Sequence, residues 1–276
     1  MTSPLISAVE LRDRLGAPDL KVLDASWHLD GTDARAVHHR GHIPGAPFFD
    51  LDAVSDQATD LPHMLPGADA FAAAMGALGL KESDEIVVYD TVGLFSAPRA
   101  WWMLRTFGAA RVRVLDGGLP AWIAAGGALE SGPVTPAPQT FRAALKADQV
   151  ADVDAVRAAL AAGTPVLDAR GGPRFRGEAP EPRPGLRGGH MPGAVNLPFA
   201  DLLTPDGRLR PREELAARLA AAAPESAGGP VATCGSGVTA AILVLALEVL
   251  GRPARLYDGS WAEWGARADA PVVTGP

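Results

Sequence analysis

Cys234 is the only thiol in a chain of 276 residues, and it opens the segment Cys234-Gly235-Ser236-Gly237-Val238-Thr239. Gly235 and Gly237 accept positive φ at no steric cost, so this segment can curl tightly. Successive backbone N–H groups of such a curl turn inward and form a nest for an anion. A helix starting near Thr239 would add its positive end. Donors of this kind favour the thiolate, the form of cysteine that attacks and is attacked. A lone cysteine in an arbitrary setting acts as a small hydrophobe; the glycines and the following helix favour catalysis here. Ser236, two residues on, brings a hydroxyl that can pass a proton toward a reacting sulfur. A second group of interest is Arg174 and Arg183, nine residues apart in RFRGEAPEPR. A guanidinium grips a carboxylate through a planar two-pronged fork. The competing expectation for these arginines is a solvated loop with weak surface ion pairs. Arg170, Arg176 and Arg187 are expected to be structural or solvated.

The elements that must position these groups follow from hydrophobic patterning. In the second half, Val166–Asp168, Ala194–Leu197, Pro230–Thr233 and Ala254–Tyr257 read as strands, and Arg212–Ala223 and Thr239–Leu250 as helices. In the first half, Lys21–Asp24, Ile86–Tyr89 and Arg111–Leu115 read as strands, and Ala68–Leu78 and Pro98–Phe107 as helices. Strands alternating with helices predict an α/β fold with a mainly parallel sheet covered by helices. Cys234 then sits at the carboxyl end of a strand, where such sheets bind ligands.

The two halves are copies of one design. VLDAS at 22–26 matches VLDAR at 166–170, and GHIPGA at 41–46 matches GHMPGA at 189–194. VLDGG at 114–118 matches LYDGS at 256–260, and Trp122 matches Trp264. Four markers recurring in one order at nearly constant spacing indicate duplication. The expected division is residues 1–131, a linker over 132–148 that is stiffened by its prolines, and residues 149–276. Asp90 stands as far before Cys234 as Asp24 before Asp168. The first copy therefore lacks the nucleophile and is expected to act as scaffold. His42 and His190 head the repeated GH[IM]PGA turns in both copies, which favours a structural role. His28, His38 and His39 form no metal-ligand pattern.

Composition excludes several function classes. The net charge of -7 provides no basic field for nucleic acid or an anionic membrane. The longest apolar run, near Ala240–Leu247, is too short to span a bilayer. No signal peptide is expected from the N-terminal residues. One cysteine cannot form an intramolecular disulfide or a multi-cysteine zinc site, and a cytoplasmic setting is expected.

With these residues in view, the chain resembles the 3-mercaptopyruvate sulfurtransferases of the tandem-domain rhodanese superfamily. CGSGVTA at 234–240 looks like their active-site loop. LDASW at 23–27, RGHIPGAPFFDLD at 40–52, HMLPG at 63–67, SAPRAWWM at 96–103, RFRG at 174–177, PEPR at 180–183, GHMPGAVNLPF at 189–199 and DGSWAEW at 258–264 extend the resemblance over nearly the whole chain. It implies two rhodanese-like α/β domains, of which only the C-terminal one is catalytic. It also implies that Arg174 and Arg183 bind the donor, that the backbone of Gly235, Gly237, Val238 and Thr239 lines the donor site, and that Ser236, His63 and Asp52 match a serine–histidine–aspartate relay reaching across the two domains. The alternative for that trio is a hydrogen-bonded set that fixes the cleft. No metal or organic cofactor is implied. The implied partners are the small-molecule donor 3-mercaptopyruvate and a thiol acceptor such as thioredoxin or a low-molecular-weight thiol, or cyanide in an assay.

Three rival readings remain in view. A cysteine-dependent phosphatase needs an arginine six residues after the cysteine to hold phosphate charge; position 240 is Ala. A thiosulfate sulfurtransferase carries basic residues directly after its cysteine, where this chain has Gly235 and Ser236. A non-enzymatic sulfur-relay module would take sulfur from a protein partner and would not turn over a small donor.

Overall fold

Short β-branched and aliphatic runs form the strands of the computed structural model, which describes residues 3–224 and 228–276. The chain divides into two compact units, and the division does not follow the sequence midpoint alone. Met1–Gln57, Leu65–Lys146 and Pro205–Leu209 make the first unit. Ala58–Met64, Ala147–Thr204 and Arg210–Pro276 make the second. His63, in the first half of the sequence, thus belongs to the second unit.

In the first unit the elements run β1 (Leu5–Ile6), α1 (Ala8–Arg14), β2 (Leu20–Asp24), α2 (Ala34–Arg40), α3 (Leu51–Val54), α4 (Ala68–Ala77), β3 (Glu85–Tyr89), α5 (Ala97–Thr106), β4 (Arg111–Leu115) and α6 (Gly118–Ala124). The sheet order is β1-β4-β3-β2, with every pair parallel. In the second unit they run β5 (Val150–Ala151), α7 (Val153–Ala161), β6 (Val166–Asp168), α8 (Gly172–Phe175), β7 (Val195–Asn196), α9 (Arg212–Ala222), β8 (Val231–Thr233), α10 (Ala240–Leu250), β9 (Arg255–Tyr257) and α11 (Ser260–Trp264). The order is β5-β9-β8-β6-β7, again all parallel. Both units are the expected parallel α/β sheet flanked by helices. Strand β7 has a remnant in the first unit, a single parallel bridge between Asp24 and Phe48.

Burial explains the patterning. Val87, Tyr89, Leu115 and Trp122 lie in one core cluster with Ile6, Leu20 and Val22. Val166, Val231, Tyr257, Trp261 and Trp264 do the same in the second unit. Helix α10 is buried from Ala240 to Leu247 and packs on α9 and on β8 and β9. An all-round apolar helix of this kind belongs in a core; among the described residues no helix is long and apolar enough to cross a membrane.

The proline-rich stretch after residue 131 runs against the first unit. Gln139 N–H donates to Gly76 O at 2.9 Å, and Lys146 N–H to Thr106 O at 2.8 Å. A Cβ on Gly76 would stand 2.5 Å from Gln139 O, so α4 needs glycine there. The repeated histidine turns are structural in the same way in both units. His42 Nδ1 meets His38 O at 2.8 Å, and the two rings stack at 4.0 Å. His190 Nδ1 meets Phe175 O at 2.9 Å, and those rings stack at 3.7 Å.

Candidate active site

The register of the second sheet sets the cysteine's place. Asp168 pairs with Thr233, the last residue of β8, and Cys234 follows it. Cys234 is 2% exposed. Three bonds from the start of α11 hold the loop: Trp261 N–H donates to Cys234 O at 3.0 Å, Ala262 N–H to Gly235 O at 2.9 Å, and Cys234 N–H to Ser260 Oγ at 3.3 Å. The Ser260 hydroxyl donates onward to Tyr257 O at 2.8 Å. Helix α10 begins six residues after Cys234 and has no side-chain cap. Of the two loop glycines, Gly237 takes a positive φ, +79°, as expected, and Gly235 does not; at Gly235 it is the missing side chain that matters, because Arg174 stands where a Cβ would go.

The first copy displays what this loop geometry does. Asp90 occupies the place of Cys234, at the end of β3 and before α5. Its Oδ2 accepts from the N–H groups of Phe95, Ser96 and Ala97 at 2.8, 3.0 and 2.9 Å, and its Oδ1 from Val92 N–H at 3.1 Å. A carboxylate there fills a ready-made anion nest at a helix N-terminus. Counted back from the helix starts, the matching N–H groups of the second copy are those of Val238, Thr239 and Ala240, in a loop one residue shorter than that of the first copy. Asp90 is fully buried, so its removal leaves these donors unsatisfied. Asp90→Ala is expected to destabilise the first unit by about 2 kcal/mol, the scale of losing charge-assisted bonds. A lowered urea midpoint checks this, and an unchanged midpoint would show that the nest does not depend on its anion.

His63 and Ser236 meet within the second unit, His63 Nδ1 and Ser236 Oγ standing 2.9 Å apart. Both are buried. Asp52 lies in the first unit, in the first turn of α3, and accepts from Trp27 Nε1–H at 3.2 Å. Among the described residues only two non-glycine residues have positive φ, His63 at +63° and Ser260 at +49°. Such conformations cost about 1–3 kcal/mol each and gather where a site over-determines its backbone. Both of these residues touch the Cys234 loop, one through Ser236 and the other through the cysteine's own N–H.

The loop itself is uncharged, and its cations come from outside it. A Cβ on Gly235 would stand 3.1 Å from Arg174 Nη2 and 3.9 Å from Arg183 Nη1. Both guanidinia therefore flank the residue after the cysteine. Arg174 comes from α8 and is held by Glu181, with Nη2–Oε2 at 2.5 Å and Nε–Oε1 at 3.3 Å. The other arginines divide as expected between structural and surface roles. Arg170 is buried against Asp168, Arg187 donates to three backbone carbonyls, and Arg176 pairs with exposed Glu178.

Two residues of the site were missed in the sequence. Glu181 lies inside PEPR, a motif read only for its arginine. Ser260 stands where the first copy has Gly118, whose φ of +54° is nearly the same. That departure from the repeat was the available signal. In the first copy a Cβ at this point would stand 2.4 Å from Asp90 O, which demands glycine.

The rhodanese-like domain profile matches residues 7–125 and again 152–267. The chain is 44% identical over 276 residues to the 3-mercaptopyruvate sulfurtransferase of Escherichia coli K12, covering 98% of each protein. It is 43% identical over 274 residues to the human 3-mercaptopyruvate sulfurtransferase, covering 96% of this chain and 92% of the human one. A crystal structure of a 3-mercaptopyruvate sulfotransferase from Escherichia coli superposes with a TM-score of 0.86 at 40% identity, over 94% of this chain and 99% of that one.

Proposed function

The chain belongs to the family of rhodanese-like domains, which it carries twice, and we propose that it is a sulfurtransferase that moves sulfur from 3-mercaptopyruvate to a thiol acceptor through a persulfide on Cys234. The observation that carries this reading is the placing of Arg174 and Arg183 beside Gly235, one residue from the only thiol. The curated relatives' names support the donor. In this reading residues 149–276 hold the catalytic copy, residues 1–131 hold the copy without a nucleophile, and the reaction runs in the cytoplasm.

The Cys234 thiolate attacks the sulfur of 3-mercaptopyruvate. The new S–S bond forms as the C–S bond breaks, and its electron pair leaves on carbon as the enolate of pyruvate, which then takes up a proton. Ser236, in hydrogen-bond contact with His63, is the group we assign to moving a proton at the reacting centre; Asp52 is the third member we assign to that relay. The N–H groups of Gly235, Gly237, Val238 and Thr239 hold the outer sulfur. A thiol, thioredoxin or a low-molecular-weight thiol, then removes it and restores the enzyme. The two half-reactions make this ping-pong covalent catalysis. Arg174 and Arg183 supply donor placement, which converts an encounter into an effectively unimolecular step.

A donor with a carboxylate suits arginines set to one side of an uncharged loop, whereas dianionic thiosulfate needs cations at the sulfur itself. The wild type is expected to favour 3-mercaptopyruvate over thiosulfate by at least about tenfold in kcat/KM, or about 1.4 kcal/mol. Initial rates with both donors on one preparation test this. A preference for thiosulfate would overturn the donor and leave sulfur transfer standing.

A further inference from the structure

Arg170 marks a departure between the two copies. The first copy has Ser26 at this position, and Asp24 Oδ1 accepts from the Ser26 N–H and hydroxyl at 3.0 and 2.5 Å. In the second copy Asp168 accepts the matching N–H of Arg170 at 3.0 Å and also its guanidinium, with Nε and Nη2 each bonding Oδ2 at 3.0 and 2.6 Å. Arg170 lies over the Trp261 ring at 4.1 Å and donates to Gly189 O at 2.8 Å. Burial alone would lower its pKa; Asp168 and Glu181 outweigh that and raise it above the ordinary value. Its last prong, Nη1, reaches Glu181 Oε1 at 2.8 Å.

Glu181 is therefore anchored from behind. Its side chain is 1% exposed, and it turns both oxygens to Arg174, whose side chain is 24% exposed. The sequence Asp168–Arg170–Glu181–Arg174 runs from the end of β6 to the cysteine loop, and the copy with Asp90 has no arginine at its Arg170 position.

We propose that Glu181 is a positioning and specificity-determining residue: it fixes the Arg174 guanidinium beside Gly235 and sets the site for a monoanionic carboxylate donor over a dianionic one. This rests on the reading of Arg174 and Arg183 as the donor clamp. Two physical effects combine. An arginine already oriented by a buried carboxylate loses less freedom when the donor arrives. A fixed negative charge also repels a dianion twice as strongly as a monoanion at the same distance, because Coulomb energy scales with the product of charges.

Glu181→Gln keeps the shape and one acceptor oxygen and removes the charge. Its ratio of kcat/KM for 3-mercaptopyruvate to that for thiosulfate is expected to fall by about tenfold, carried mainly by KM. Glu181→Asp keeps the charge and shortens the reach; it should raise KM for 3-mercaptopyruvate with no gain for thiosulfate, so its donor ratio should fall less than that of Glu181→Gln. Equal losses for both donors in Glu181→Gln would overturn the proposal, as would an Asp variant whose ratio moves as far as the Gln variant's. If the variants do not fold, the wild type still decides. Pyruvate should protect Cys234 from iodoacetamide at about a tenfold lower concentration than sulfate, and equal protection would overturn the proposal. A wild type that does not turn over 3-mercaptopyruvate at all would instead sink the clamp reading on which this rests.

Discussion

Replacing Cys234 with serine is expected to abolish sulfur transfer and leave the fold in place. The change substitutes one oxygen for one sulfur at a site that is 2% exposed, so packing is nearly conserved. The chemistry is not. A serine hydroxyl is a weak nucleophile near neutral pH without a strong adjacent base, and it cannot carry a persulfide. The loss should exceed about a thousandfold in rate, or about 4 kcal/mol in the barrier. Initial rates with 3-mercaptopyruvate and cyanide measure it, and an unchanged circular-dichroism melt shows that the fold has survived. No second cysteine can substitute, so undiminished turnover in the variant would remove the persulfide route altogether.

The arginine clamp should give the next largest effect. Arg174→Ala and Arg183→Ala are each expected to lower kcat/KM for 3-mercaptopyruvate by roughly tenfold to a hundredfold, since a charge-assisted hydrogen bond contributes about 1.5–3 kcal/mol. The loss should appear chiefly in KM, because the carboxylate is held alike in the ground and transition states. Thiosulfate, which has no carboxylate to place, should be less affected. The two losses need not add, since both guanidinia border Gly235 and neighbouring groups couple. Arg174→Ala also removes one of the two guanidinia that Glu181 bonds among the described residues, so its stability should be measured alongside its kinetics. Kinetics unchanged in both variants would return these arginines to the role of surface charge.

Much of the fold was legible because its strands and long helices are strongly patterned. A continuous apolar run such as Ile86–Tyr89 admits burial on both faces, and α10 is buried from Ala240 to Leu247. The short elements were not legible. Helices α8 and α11 have four and five residues, too few to display a period, yet they position Arg174 and grip the cysteine loop. Two-residue strands such as β1 and β5 are defined by their parallel partners β4 and β9 rather than by their own residues.

The candidate site divides in the same way. Cys234 and its glycines were legible from type and spacing, whereas Arg174 and Arg183 rose above ordinary surface charge only through the resemblance. Ser236 stood out by its place two residues after the cysteine, but its pairing with His63 came only through the resemblance, because 173 residues separate them in sequence while 2.9 Å separates their side-chain atoms. Glu181 escaped notice because a glutamate among arginines reads as a surface ion pair. Only its burial, and that of Arg170 behind it, distinguish it from Glu178, which makes an exposed pair with Arg176. Ser260 could have been found by asking why one copy of the repeat tolerates a side chain where the other has Gly118.

Whether Cys234 stores the transferred sulfur can be read from the intact mass of the wild type. After 3-mercaptopyruvate is added without an acceptor, the protein should gain the mass of one sulfur atom. The gain should map to the peptide containing Cys234, match the pyruvate released, and disappear on addition of thiol. Pyruvate released over many turnovers in the presence of acceptor, with no sulfur gained on Cys234 in its absence, would rule out Cys234 as the sulfur carrier.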